Sequence, residues 1–233
     1  MGITFNDDQL GAPELKYVLW VDIMGIKEKM SRSLHQSANF IGKFHSVVSS
    51  SGGPGITIYP VMDGAYVTFD DEENAESNVK NCIVKLYTEL VHEFVGEKEL
   101  LHRFLIRGGL AYGPVYPGTR LNKNVVPSFY PNPGVLLLGF PVVQAHVCES
   151  HAAPFGVCVD DSVLSKSCLK AKPTFSGRWF HWEHKSSPSD IKAMRQSLKN
   201  HYQECEAHKT EIGYDDEALA RHRMWAYDFW GIK

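Results

Sequence analysis

The stretch Val18–Lys27, VLWVDIMGIK, runs apolar residues straight into an aspartate, with a glycine three positions later. Tyr17 to Ile23 has the length and apolar content of a buried strand. Asp22 stands at the end of that strand, where a chain entering a helix also uses aspartate as an N-cap. Residues 22–27 join strand to helix, so backbone N–H groups at a helix start face any anion that approaches. Gly25 permits a close backbone approach there, and Lys27 adds positive charge.

Working outward, Phe40, Ile41, Phe44, Val47 and Val48 fall at helical spacing within 36–48, with Gly42 weakening that helix without stopping it. SSSGGPG, residues 49–55, is a loop by composition. ITIYPVMDGAYVTF, residues 56–69, predicts two strands around Asp63-Gly64, since Asp-Gly between apolar runs tolerates the positive φ of a hairpin turn. Pro60 limits the first of these strands to an edge or a bulge. In 74–95, Val79, Cys82, Ile83, Leu86, Leu90, Val91 and Phe94 share one helix face. RFLIRGGLAYGPVY, residues 103–116, predicts a further strand with glycines where backbone or ligand comes close. The order is βαββαβ, so the expected class is α+β with a ferredoxin-like core. Beyond it the sequence predicts a loop or irregular hairpin over 114–134 and a helix starting near Pro141. FGVCV predicts a strand, and Asp160-Asp161-Ser162 a cap on the short helix after it. Residues 188–208 read as a polar helix with a solvated face, and MWAYDFW, 224–230, as a packed C-terminus or dimer contact. No repeat or linker divides the chain, so one domain spanning 1–233 is expected.

Composition narrows the functional classes. A 233-residue chain with 43% apolar and 22% charged residues is long enough for a sizeable core and ordinary for a globular protein. Its net charge of −3 leaves no basic footprint for duplex nucleic acid. Cysteines 82, 148, 158, 168 and 205 form no CxxC pair, which argues against a disulfide framework or zinc ribbon and for a reduced compartment. The start MGITFNDDQL shows no signal-peptide pattern, and Asn6 breaks the myristoylation pattern, so a cytoplasmic protein without membrane attachment is expected. The run GVLLLGFPVV is about half of a bilayer span.

In a βαββαβ sheet the end of the first strand faces the hairpin turn, which brings Asp22 toward Asp63. Two carboxylates held together repel unless a divalent cation lies between them, and an oxygen-rich site favours Mg²⁺ or Mn²⁺. Asp63 alone is equally a plain turn residue. Arg107 interrupts an apolar strand, where an unpaired guanidinium is costly, so it requires a carboxylate or a phosphate. His181-Trp182-Glu183-His184 places two imidazoles at i and i+3, but no third ligand stands at a recognisable spacing, and the sequence does not support zinc there.

VDIMGIK, VMDGAYVTF, IRGGLAYGPVYPG and LGFPVVQAHVCESHA occur in the order of the class III nucleotide cyclase catalytic domain, which the chain resembles over about residues 15–165, leaving 166–233 as a C-terminal extension. The resemblance implies two divalent ions, Mn²⁺ or Mg²⁺, held by Asp22, Asp63 and the backbone carbonyl of Ile23. It implies a triphosphate cradled by Gly25, Ile26 and Lys27 and contacted by Arg107, in a head-to-tail homodimer with its site between two domains. Where adenylate cyclases read adenine with a Lys and an Asp, and guanylate cyclases use Glu and Cys, this chain has Tyr59 and Leu136. Val143 replaces the family's ribose-orienting Asn, and its transition-state Arg falls near Val147.

These departures resemble the pyrimidine cyclases of bacterial Pycsar antiphage systems. That resemblance implies conversion of UTP, in preference to CTP, to the 3′,5′-cyclic nucleotide, which a separate effector protein then senses. Tyr59 is broader in section than a lysine stem and would narrow the base pocket, although a plain strand aromatic is an equal reading. Arg103, Arg120, Arg178 and Lys172 are candidates for the missing transition-state charge, and Gln144 or His146 for a ribose contact. The rival expectations are an adenylate or guanylate cyclase with unusual base recognition and a degenerate nucleotide-binding domain without catalysis.

Overall fold

The structure is a computed structural model that describes residues 11–99, 102–120, 133–166, 169–212 and 214–233. The N-terminal decapeptide, most of the expected 114–134 loop and Cys168 lie outside the described residues.

Strand β1 (Glu14–Ile23) leads through a tight turn into α1 (Ile26–Arg32) and α2 (Leu34–Ser50). The hairpin β2 (Ile56–Val61) and β3 (Gly64–Asp70) follows, then α3 (Ala75–Gly96) and β4 (Ile106–Pro117). The sheet order β2-β3-β1-β4, with every neighbouring pair antiparallel, is what a βαββαβ chain gives when both crossovers fold onto one face. The expected ferredoxin-like core is therefore present. β2 lies at the sheet edge, where Pro60 removes no interior hydrogen bond.

The hairpin turn sits one residue earlier than expected. Val61 pairs with Gly64, so Met62 and Asp63 form the turn. The positive φ falls on Met62, at 50°. Asp63 consequently projects from the turn beside the end of β1.

β4 runs on through Pro117, and β5 (Leu137–Leu138) pairs back onto it through Tyr116 and Pro117, closing the expected irregular hairpin. Helix α4 (Phe140–Glu149) starts with Pro141 in its first turn. β6 (Val157–Val159) joins β4 in parallel, and Asp160 caps α5 (Asp161–Lys166) by accepting from the Ser162 N–H at 2.9 Å. The hairpin β7 (Ala171–Pro173) and β8 (Arg178–Phe180), which has no strong alternation in the sequence, extends the sheet beyond β6. Helices α6 (Pro188–Ala207), α7 (Lys209–Ile212) and α8 (Asp216–Trp230) end the chain.

The polar helix at 188–208 is less solvated than its composition suggests. Met194, Leu198, His201, Tyr202 and Cys205 are buried along one side of α6. The C-terminal aromatics pack inward as well, with Trp225, Phe229 and Trp230 joining the main apolar cluster. Three indole N–H groups clamp the irregular turn between α4 and β6. Trp179 donates to the His151 carbonyl at 2.8 Å, Trp182 to Phe155 at 2.8 Å and Trp230 to Pro154 at 3.4 Å. That clamp fixes where α4 ends, and so where Glu149 lies. Among the described residues no helix is long and apolar enough to cross a membrane.

Candidate active site

Residues directly opposite one another in antiparallel strands share a face. Asp22 pairs with Gly64 of β3 and with Arg107 of β4. Asp22 and Arg107 therefore stand on the face that carries α4, with Asp63 one residue past the Gly64 partner. The Ile23 N–H donates to the Asp63 carbonyl at 3.3 Å, and the Met24 N–H to the Leu105 carbonyl at 2.8 Å. The turn after Asp22 is thus tied to the hairpin on one side and to the entry of β4 on the other.

Glu149 is the component that sequence reasoning missed. It sits at the end of α4, is 2% exposed, and accepts from the Arg107 guanidinium. Gly109 makes this possible: a Cβ there would come within 2.1 Å of the Ala145 carbonyl oxygen and 2.5 Å of the Glu149 nitrogen. The backbone of α4 lies directly on β4 because the strand has no side chain at that point, and Glu149 arrives over Arg107. The available signal was the need of Arg107 for an anionic partner, which the sequence posed without saying whether a carboxylate or a phosphate supplies it.

Burial pushes the Asp22 carboxyl up to about 7, and the neighbouring charges of Glu149 and Asp63 push it the same way against the pull of Arg107. Burial also raises Glu149, opposed by Arg107. Three carboxyl groups and one guanidinium gather about Asp22, an excess of acidic groups at one point on the sheet. The donor set is hard and oxygen-rich, and Asp22 resists ionisation until positive charge arrives. These residues fit a divalent cation.

Gly25 takes φ 69° and caps α1, and nothing crowds its missing side chain. The left-handed turn, and not a close contact within this chain, accounts for glycine there. Ile26 is buried, whereas Lys27 is exposed. Behind this turn lies a cavity of about 340 Å³, lined in part by Met24, Gly25, Lys29, Arg103 and His222.

On the same face Trp20 contacts Tyr66 at 4.4 Å between ring centroids and stacks on His146 at 5.6 Å. The Trp20 indole N–H is buried without a partner among the described residues. Tyr59 pairs with Tyr66 and is 4% exposed, while Leu136 is half-buried on the approach to β5. Gln144 donates to Asp160 at 3.1 Å. Val143 and Val147 project from α4 into solvent.

The basic candidates separate. Arg103 is paired with Glu204 at 3.1 Å and Arg120 with Glu14, whereas Lys172 is exposed on β7. Arg178 lines a cleft of about 480 Å³ together with Val143, Gln144 and Val147, loosely held by Asp161 at 3.5 Å.

No protein-family model matches the sequence, and no curated protein matches it either. Solved structures do. The monomeric guanylyl cyclase domain of the RhoGC fusion protein from the aquatic fungus Blastocladiella emersonii superposes with a TM-score of 0.53 at 18% identity, covering 73% of this chain and 95% of that one. The chain has the fold of a nucleotide cyclase catalytic domain. A bacterial light-regulated adenylyl cyclase gives a TM-score of 0.52 at 15% identity over 80% of this chain and all of that one. The guanylate cyclase domain of RhGC from Catenaria anguillulae, solved with GTP, gives 0.50 at 18% identity over 72% and 94%.

Proposed function

We propose that this protein is a nucleotide cyclase that converts a nucleoside triphosphate to its 3′,5′-cyclic monophosphate. The observation that carries the reading is the cluster of Asp22, Asp63, Glu149 and Arg107 at the joint of β1, the hairpin and β4 of a cyclase fold. Asp22, Asp63 and the Ile23 carbonyl would hold Mg²⁺ or Mn²⁺. When bound there, the ions lower the pKa of the ribose 3′-hydroxyl and neutralise charge on the departing pyrophosphate. The turn at Gly25, Ile26 and Lys27 orients the triphosphate. The 3′-oxygen forms a bond to the α-phosphorus as the bond to pyrophosphate breaks, and the hydroxyl proton leaves to solvent. Arg107 exchanges part of its contact with Glu149 for a phosphate oxygen. Positioning and charge supply most of such a rate.

The finer reading is a pyrimidine substrate, UTP before CTP. Its support is Tyr59 and Leu136 where the resemblance sets the purine-reading side chains. That resemblance also carries a role in antiphage defence, with a separate effector sensing the product. A purine substrate is the second reading, favoured by the guanylyl and adenylyl cyclases among the structural neighbours. The α4 stripe supports a homodimer: Phe140, Val143 and Val147 are 70%, 56% and 58% exposed at i, i+3 and i+7, beside a site without the ribose and transition-state side chains that the resemblance calls for. Arg178, in the cleft next to these valines, is the residue we assign to transition-state charge.

Incubation with ATP, GTP, CTP and UTP separately, with Mn²⁺, tests the reading by chromatography and mass spectrometry. A cyclic pyrimidine nucleotide is expected. A cyclic purine nucleotide retains the cyclase and overturns the base assignment. Triphosphate binding without pyrophosphate release overturns the catalytic reading and leaves a nucleotide-binding domain.

A further inference from the structure

His181-Trp182-Glu183-His184, without a third ligand in the sequence reading, acquires one in the fold. The segment forms a single turn of 3-10 helix, Trp182–Lys185, directly after β8. Trp182 is anchored inward by its hydrogen bond to Phe155, and the turn carries Glu183 inward with it, to 5% exposure. His181 Nδ1 lies 2.6 Å from Glu183 Oε1, and His184 Nδ1 lies 3.8 Å from the same oxygen. One donor atom from each of the three residues falls within 4.8 Å of the others.

This cluster has an unsettled charge. Among the described residues no lysine or arginine pairs with Glu183, and its ion-pair neighbours are the two imidazoles. Glu183 Oε2 and His181 Nε2 are both buried without hydrogen-bond partners. A buried carboxylate with an orphaned oxygen is costly unless positive charge reaches it. Two imidazoles and a carboxylate suit a borderline-soft ion, which binds such donors at about 2.0–2.2 Å and accepts water as a fourth ligand. Donors on one such ion stand about 3.4 Å apart. The separations here bracket that value, and the His184 ring, 76% exposed, already stacks beside His181 at 5.5 Å.

We propose that His181, Glu183 and His184 form a Zn²⁺ site, separate from the Asp22–Asp63 cluster, that braces the C-terminal helix against the sheet. The brace runs through His181, whose ring stacks on Phe229 of α8 at 4.8 Å and 9°. Zn²⁺ replaces the short His181–Glu183 hydrogen bond, satisfies the carboxylate and fixes the ring that Phe229 covers. Its effect is on stability, because an ion that binds only the folded form raises the unfolding temperature by mass action.

The test uses full-length chelator-treated Asp22→Ala protein, so that the proposed catalytic site contributes no competing binding. Calorimetric titration with Zn²⁺ is expected to show one equivalent bound and a higher melting temperature. A Co²⁺ titration is expected to give the visible absorption of a tetrahedral site. Adding His184→Ala, an exposed position whose loss leaves packing intact, is expected to weaken Zn²⁺ binding by at least about tenfold and remove the Co²⁺ band. Adding Glu183→Gln, which keeps the shape and removes the charge, is expected to do the same. Equal Zn²⁺ affinity with and without His184, or no saturable Zn²⁺ binding in Asp22→Ala, overturns the site. Cyclase activity does not enter any of these readouts, so failure here is distinct from failure of the proposed function.

Discussion

Alternate residues of β1 enter two different environments. Tyr17, Leu19, Val21 and Ile23 point into the large apolar core with Phe44, Val79, Ile83, Leu86 and Leu90 of α2 and α3. Lys16, Val18, Trp20 and Asp22 point to the α4 face, where the apolar cluster is small. The same face holds Glu149 and Arg107, and Lys16 pairs there with Glu14 at 2.7 Å. The first face stabilises by burial alone. The second gives up apolar area to hold charges close together in a partly buried place, a cost that the proposed metal and nucleotide binding would offset. Rigidity from the first face keeps the carboxylates of the second from moving apart.

That contrast can be broken in order of effect. Asp22→Ala or Asp63→Ala is expected to lower turnover by at least about 10³-fold, the scale on which one preorganised electrostatic group counts, while circular dichroism stays that of a folded protein. Retained turnover in either variant would remove the two-carboxylate assignment. On the opposite face Leu86→Ala, fully buried, is expected to cost about 2–5 kcal/mol in denaturant unfolding and to leave the turnover of the folded fraction near wild type. Gly109→Ala sharpens the link between faces: its Cβ would press on the Ala145 carbonyl, so α4 must lift, with a stability loss of about 1–3 kcal/mol and a turnover loss as Glu149 leaves Arg107. Unchanged kinetics there would show that the placement of α4 does not govern the site.

A further test of the contrast is in pH. Asp22 holds its proton to about 7 in the folded chain against an ordinary 3.8, so the folded state binds the extra proton between those values. Stability of the metal-free protein is therefore expected to fall as pH rises from about 4 to about 7, by about 2–4 °C of melting temperature for each kcal/mol lost. Asp22→Asn is expected to flatten that slope. Mn²⁺ is expected to raise the wild-type melting temperature more at pH 8 than at pH 5. A metal effect independent of pH would place the ion elsewhere.

Much of this was legible without coordinates. The strand at Tyr17 to Ile23, the helix face at Val79 to Phe94 and the limit of Pro60 to an edge or a bulge follow from apolar run length, side-chain period and the missing N–H of proline, which are local properties. The hairpin was legible, but its turn was displaced by one residue, because Asp-Gly chemistry fits more than one register and the strand pairing chooses among them. β7 and β8 were not legible, since three-residue strands carry too little alternation to register. The buried side of α6 was hidden by its polar composition.

The sequence by itself determined the ferredoxin-like order of elements and the presence of Asp22, Asp63 and Arg107, because periodicity, turn residues and a charge inside an apolar run are properties of neighbours along the chain. Only the tertiary structure decided what meets those charges. Glu149 reaches Arg107 across 42 residues because Gly109 lets a helix backbone lie on a strand and three tryptophans clamp the turn that follows. Likewise, Glu183 stands between His181 and His184 with an unsatisfied oxygen because Trp182 turns it inward. Contact between distant residues depends on packing in three dimensions, and no local spacing encodes it.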